Sequence, residues 1–275
     1  MINLFGNGFI GSHFAKLYQC KVNDRNDFIP DLDDVTDVFY LISTIDNYNV
    51  KSNPYLDIET NLTTLIRVLE NFRQHPKSKD VVFNFASSWF VYGNSDFPAN
   101  ERSYCDPKGF YSITKRSAEQ LLISYCETYG LNYRILRFAN VLGLGDTKVS
   151  KKKNALTYLL NEMKQNNPIN LYDNGQFVRD YIHVHDLCRA VNLIMSSGPT
   201  NEIFNVGNGI PIQFINVIDY IKKLGSASIV NKIPPSEFHK IVQVSSMYLD
   251  VTKLTNLGYT PKYSIFDIVD ELFQK

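Results

Sequence analysis

Neither sign of charge prevails in the 275 residues of this chain: 28 Lys and Arg stand against 28 Asp and Glu. A protein that grips nucleic acid across a broad basic surface needs an excess of cations, so that class is excluded and any phosphate must be held locally. Cysteine is scarce too. Cys20, Cys105, Cys126 and Cys188 are widely separated and form no CxxC pair, which excludes a disulfide framework or a cysteine zinc site and points to a reducing compartment. No apolar run approaches the roughly 20 residues of a membrane-spanning helix. With the first apolar run starting at Ile2, the expectation is a cytoplasmic protein without a membrane segment.

What is present is a well-mixed globular composition, with aromatic content too high for disorder. Short β-branched or aromatic runs at Ile2 to Phe5, Val38 to Ser43, Val81 to Ser87 and Tyr133 to Phe138 alternate with stretches of helical spacing. This is the pattern of βα units in a parallel sheet. Ile58, Leu62, Leu65, Ile66, Leu69 and Phe72 recur at steps of three and four, as do Ile113, Leu121, Leu122 and Tyr125, predicting two helices with those residues facing the core. A shorter helix is expected from Gly11 to Gln19. The fold class is therefore α/β, a Rossmann-type parallel sheet over residues 1–143. A turn at Gly143, Gly145 and Asp146 and the lysines 148 and 151–153, read as a solvated loop, lead into a smaller C-terminal substrate-binding lobe over 144–275. There a helix is predicted from Ala155 to Gln165, with short strands near Ile169 to Tyr172 and Phe177 to Ile182.

Gly6-Asn7-Gly8-Phe9-Ile10-Gly11 follows the first strand and opens the first helix. Glycines there let backbone approach a pyrophosphate, whose charge then rests on the helix N-terminus. Gly8 and Gly11 are expected to matter more for cofactor binding than for the fold. About 20 residues on, where a ribose-binding acid is expected, stands Asp24, followed by Arg25. The acid suits NAD and the neighbouring Arg suits NADP, so both remain open. Tyr111 and Lys115 lie four apart on a predicted helix, hence on one face; a nearby cation lowers a phenol's pKa and makes it a usable acid/base. Ser87 and Ser88 end the third strand, at the sheet edge that faces a ligand crevice.

GNGFIG, FNFASSWFVYG at 83–93, YSITK at 111–115, LRFANVLG at 136–143 and FVRDYIHVHDL at 177–187 together resemble the extended short-chain dehydrogenase/reductases, the NAD-dependent nucleotide-sugar epimerase/dehydratase family. The resemblance implies Tyr111 as catalytic base and Lys115 as the residue that tunes it and holds the nicotinamide ribose. Ser88 would bond the reacting sugar oxygen, with Ser87 the lesser candidate. Asn140, Asn154 and Arg179 would hold the nucleotide-diphosphate sugar. It also implies a homodimer, and a return of the chain near 186–206 to the first lobe.

Two departures qualify it. Phe5 stands where the family has its first glycine. Trp89-Phe90 replaces the Asp-Glu pair of the 4,6-dehydratases, which removes the acid and base needed to eliminate water. His183-Val184-His185-Asp186 is read as structural: on a strand the two imidazoles would fall at neighbouring sites on one side without a third ligand, and no metal is expected. Cys105 reads as an incidental small hydrophobe, with a catalytic acid as the other reading. The leading function is 4-epimerisation through a 4-keto intermediate. The alternatives are a reductase of a 4-keto-6-deoxy sugar and a non-catalytic dinucleotide-binding protein.

Overall fold

In the computed structural model, which describes residues 1–147, 155–244 and 246–274, apolar runs become strands covered on both faces. Along the chain come β1 (Ile2–Phe5), α1 (Phe9–Leu17), β2 (Cys20–Val22), β3 (Asp37–Tyr40), α2 (Leu56–Ile58), α3 (Thr64–Gln74), β4 (Val82–Ser88), α4 (Phe110–Tyr129) and β5 (Asn132–Phe138). A π-helical turn at Glu59–Thr63 joins α2 to α3. Then follow β6 (Asn140–Leu142), α5 (Ala155–Lys164), β7 (Ile169–Tyr172), β8 (Val178–Arg179), β9 (Tyr181–His183), α6 (Val184–Ser197) and β10 (Glu202–Val206). The chain closes with β11 (Ile212–Gln213), α7 (Phe214–Lys223), β12 (Val230–Ile233), α8 (Glu237–Val242), α9 (Thr252–Thr255) and α10 (Ile265–Gln274).

Six strands form one parallel sheet in the order β2-β1-β3-β4-β5-β10. The order reverses at β1, so a crevice opens beyond the carboxyl ends of β1 and β3, the place where open α/β sheets bind ligands. Dinucleotide-binding sheets with the order 3-2-1-4-5-6 carry a further strand outside the second. Here β2 is the edge, because residues 23–36 form turns rather than the crossover helix and strand that would be needed.

The sheet is covered on both sides. Phe14 of α1 and Leu187, Val191 and Ile194 of α6 pack on one face with Leu4, Phe39 and Leu136; Leu65, Leu69 and Phe72 of α3 and Leu122 and Cys126 of α4 pack on the other with Val38, Phe83 and Ile135. Burying each large apolar side chain contributes about 1.5–3 kcal/mol, which is what holds these layers together. A third cluster, with Leu156, Leu160, Met163, Val217, Ile218 and Ile268, gathers α5, α7 and α10 around β7. Val244, Met247, Leu249, Leu254 and Tyr259, late in the chain, return to the first cluster.

Three expectations are corrected. Ile58, at the end of α2, is 43% exposed; Ile113 is 46% and Leu121 41% exposed, because α4 turns inward a face made of Ser112, Thr114, Lys115, Ala118, Glu119, Leu122 and Cys126. The strand expected over 177–182 is two short ones, β8 pairing with β11 and β9 with β6. His183 and His185 do not share one side of a strand: His183 ends β9 and caps α6, its Nδ1 accepting from the His185 backbone N–H at 3.2 Å.

Candidate active site

The turn after β1 is shaped by two glycines. Gly6 has φ +100°, and its carbonyl lies 2.0 Å from where a Cβ on Gly11 would stand. A Cβ on Gly8, by contrast, meets nothing within 4 Å. Gly8 is the N-cap of α1, with no side chain capping the helix and no acid in its first turn, so the first amides face the crevice and suit an anion. Phe9 and Ile10 begin the helix, both partly buried. Phe5 is fully buried and belongs to the core on the far face of the sheet, so the tight turn starts at Gly6. These residues fit a dinucleotide pyrophosphate, with the reservation that the two glycines do different work. Gly8→Val is expected to leave thermal stability unchanged and weaken NAD binding by about tenfold or more. Gly11→Val is expected to destabilise by about 1–3 kcal/mol through overpacking. Isothermal titration and thermal melts check the pair, and equal NAD affinity in Gly8→Val would reduce the motif to a turn.

Asp24 lies just past β2. Strand pairing runs on to Asn23, whose N–H donates to Leu4 O at 2.9 Å, and the Asp24 carbonyl accepts from Asp27 N. Asp24 is thus an exposed turn residue at the same sheet edge as the Gly6–Gly11 turn.

β4 and α4 bring Ser88 and Tyr111 together. The hydroxyls of Ser88 and of Ser43, at the end of the β3 segment, both act on the Tyr111 phenol and pull its pKa down against burial. Ser88 also caps the short 3-10 turn Trp89–Tyr92, its Oγ accepting from Phe90 N at 3.3 Å. Ser87 points the other way and donates to Glu119 Oε1 at 2.6 Å. Strand alternation separates the two serines, leaving Ser88 in the crevice and Ser87 in the core.

Lys115 behaves differently from expectation. Its ammonium donates to Ala86 O at 2.5 Å and lies 4.2 Å from the centre of the Phe85 ring. Burial lowers its pKa to about 7. The expected lowering of Tyr111 by this cation is not found. Burial raises the phenol, the Ser88 hydroxyl opposes that, and the negative charge of Asp57 adds to it.

Around this pair the crevice is aromatic. Phe90 meets Tyr111 edge-on at 6.1 Å and stacks on Trp89 at 4.1 Å. Positions 89 and 90 thus put rings and no carboxyl beside Tyr111. The Arg179 guanidinium sits 5.2 Å from Trp89 and 4.8 Å from Phe177, donating to Val178 O and Val244 O at 2.8 and 2.7 Å. Burial lowers its pKa to about 10. Asn140 Nδ2 donates to Asp180 O at 2.9 Å, while Asn154 and Lys151 to Lys153 lie outside the described residues. Cys105, partly buried, is held up in pKa by burial, which disfavours its thiolate. His183 Nε2 pairs with Glu271 at 3.0 Å and packs on Tyr263.

Sequence reasoning missed two buried polar groups. Glu119 accepts from Arg137 Nε and Nη2 at 3.0 and 2.7 Å, from Arg116 at 2.8 Å and from Ser87. Asp57, Thr44, Asn61 and Ser43 form the second, which Asn61 joins to α4 through Thr114 Oγ1. The position of Ser43-Thr44 at the end of the second long strand, by the rule that drew attention to Ser88, was the available signal.

The model of the NAD dependent epimerase/dehydratase family matches residues 7–207. The chain belongs to this family. As an NAD-dependent epimerase/dehydratase of the extended short-chain type, it is 29% identical over 94% of its length to a Methanocaldococcus jannaschii protein provisionally named UDP-glucose 4-epimerase, of which it covers 92%. It is 25% identical over 86% of its length to a dTDP-4-dehydro-6-deoxyglucose reductase of Escherichia coli, covering 73% of that protein. The crystal structure of a UDP-glucose 4-epimerase with UDP-glucose, from Thermotoga maritima, superposes with a TM-score of 0.86 at 26% identity, over 99% of this chain and 97% of that one. Among the described residues of this family member no helix is long and apolar enough to cross a membrane.

Proposed function

We propose that this chain is an NAD-dependent nucleotide-sugar 4-epimerase, and that the Tyr111 phenol, whose ionisation the Ser88 hydroxyl at the carboxyl end of β4 favours, carries that chemistry. Full-length likeness to a UDP-glucose 4-epimerase that binds UDP-glucose supports a UDP-hexose as substrate. NAD, when bound, supplies a hydride acceptor and donor. The Gly6–Gly11 turn would hold its pyrophosphate, Asp24 its adenosine ribose and Lys115 its nicotinamide ribose.

In this reading Tyr111 takes the proton of the sugar 4-hydroxyl and later returns it to the opposite face, after the 4-keto sugar has turned. Ser88 bonds the same oxygen and fixes it against the phenol. Burial lowers the Lys115 pKa to about 7, and a ligand hydroxyl placed against its ammonium would accept a hydrogen bond that opposes this. Arg179, framed by Trp89 and Phe177, would face the sugar diphosphate, since a guanidinium fork matches phosphate oxygens. Asn140 would line the same path, and Asn154 is proposed with it from the sequence alone. Trp89 and Phe90 carry no acid or base, which argues against dehydration. The lobe assignment of 1–143 for the dinucleotide and 144–275 mainly for the sugar, with 186–206 returning, belongs to the same proposal.

The decisive assay mixes the protein with UDP-hexoses and follows C4 inversion by NMR while absorbance at 340 nm is read with 4-keto sugars in parallel. Inversion without consumption of added cofactor is expected. Stoichiometric loss of NADH or NADPH without inversion would make it a reductase, and silence in both channels a binding protein. Exposed Leu56, Ile58, Ile113 and Leu121 on α2 and α4 further support a homodimer; a monomer in sedimentation velocity would refute it.

A further inference from the structure

The short helix α8 meets the loop after β3 with little buried surface of its own. Of its six residues only Val242 is buried, and Ile241 is 66% exposed. An element with so few buried contacts opens easily unless specific bonds hold it. The loop supplies them. The Tyr48 hydroxyl and His239 Nδ1 share a hydrogen bond of 2.9 Å; the Tyr48 ring lies 5.1 Å from that of Phe238, and Lys51 Nζ stands 4.0 Å over the same ring. His239 also packs at 4.6 Å on Tyr172 of β7, so its imidazole is clasped between a tyrosine of the loop and one of that strand. Burial raises the Tyr48 phenol in pKa, while burial and then the Arg179 charge lower the His239 imidazole, which leaves a bond between neutral groups at pH 7.

The chain leaving α8 supports Arg179. Two residues past the helix, Val244 O accepts from Arg179 Nη2 at 2.7 Å. Downstream the segment is tied to β8: Val178 N donates to Ser246 Oγ at 2.9 Å, and Met247 N to Val178 O at 3.0 Å. Upstream its support is α8, through the Tyr48–His239 bond and through Val242, whose Cβ would lie 3.1 Å from a Cβ on Gly109 at the start of α4. We propose that Tyr48 and His239 are positioning residues for the sugar diphosphate: their bond seats α8, α8 places Val244 O, and that carbonyl aims the Arg179 guanidinium. The proposal rests on the reading of Arg179 as the diphosphate ligand. A guanidinium fork that matches phosphate oxygens loses its advantage when it can swing, so the clasp acts on binding of the nucleotide sugar and not on proton transfer at Tyr111.

The test measures UDP affinity of the NAD-bound protein by calorimetry in Tyr48→Phe, His239→Phe and the double variant. Phenylalanine keeps each ring in its stack and removes the hydrogen bond, whichever group donates it. Each single variant is expected to weaken UDP binding by about threefold to tenfold, the range for one net neutral hydrogen bond. The double variant loses no more than either, since both remove the same bond. NAD affinity and melting temperature stay as in the parent, and with a UDP-hexose KM rises while kcat holds. In an Arg179→Ala background, followed by ligand-observed NMR, Tyr48→Phe is expected to cost nothing further. Unchanged UDP affinity in Tyr48→Phe overturns the proposal. So does a loss that extends to NAD and to thermal stability, which would mark a merely structural bond, or one that persists without Arg179, which would put Tyr48 itself against the ligand. If His239→Phe does not fold, Tyr48→Phe in the two Arg179 backgrounds decides alone. A parent that fails to bind UDP refutes the reading of Arg179 and the clasp with it; UDP binding without C4 inversion refutes only the epimerase reading, and the affinities still judge the clasp.

Discussion

Tyr111→Phe lowers turnover by about 10²- to 10⁴-fold, the range for a lost general acid/base, while the fold and NAD affinity stay as they are. The ring remains to meet Phe90, so packing is kept and only the hydroxyl, whose pKa Ser88 and Ser43 lower, is removed. The loss falls on kcat rather than KM, because the proton moves in the transition state and contributes little to ground-state binding. Ser88→Ala is expected to lose less, since the sugar oxygen would keep its bond to Tyr111. Steady-state kinetics on a UDP-hexose measure both. A Tyr111→Phe enzyme within threefold of the parent would show, by an effect worth less than about 1 kcal/mol, that the proton travels by another route.

The second large effect concerns stability. Arg137→Ala destabilises by about 3–5 kcal/mol, because it strands Glu119 as a buried carboxylate that has lost its bidentate partner. Arg137 and Glu119 are 1% and 0% exposed, and their two bonds join β5 to α4 while Ser87 ties the same carboxylate to β4. The Arg116 contact that remains is partly exposed and does not replace the fork. Since Ser88 follows Ser87 and Tyr111 lies two turns before Glu119, the variant loosens the alignment of both halves of the active site. Urea denaturation gives the loss. Replacing both partners by apolar residues, Arg137→Met with Glu119→Leu, should recover much of it, because a well-packed apolar pair avoids the desolvation cost. A loss under about 1 kcal/mol in Arg137→Ala would mean that solvent reaches Glu119.

Buried charge also explains where the periodicity of α4 misled. Apolar residues at helical spacing normally mark the core face, and by that rule Ile113 and Leu121 belong inside. The helix instead buries Lys115 and Glu119, since these have partners on β4 and β5: Ala86 O for Lys115, and Ser87 and Arg137 for Glu119. Hydropathy measures transfer from water without partners, and it fails where tertiary structure provides them. In α3 no such partners compete, and Leu65, Leu69 and Phe72 are buried as their spacing predicts.

By itself the sequence determined the parallel sheet, from strands buried on both faces, and the turn after β1, from glycines at positions where backbone must come close. Both follow from local rules, alternation of apolar runs and the steric demands of a strand-to-helix turn, which need only neighbouring residues. It also placed Ser88, Tyr111 and Lys115 as candidates, through motifs whose order survives along the chain. Tertiary structure decided what these residues touch: that Ser88 and not Ser87 faces the phenol, that Lys115 bonds the backbone of β4, that Gly11 packs on the turn while Gly8 stays open, and that Asp57, distant in sequence from Tyr111, bears on its charge. Electrostatic and steric coupling acts through space, between groups that the crossover connections bring to one sheet edge from separate segments, and that proximity exists only once the sheet has formed.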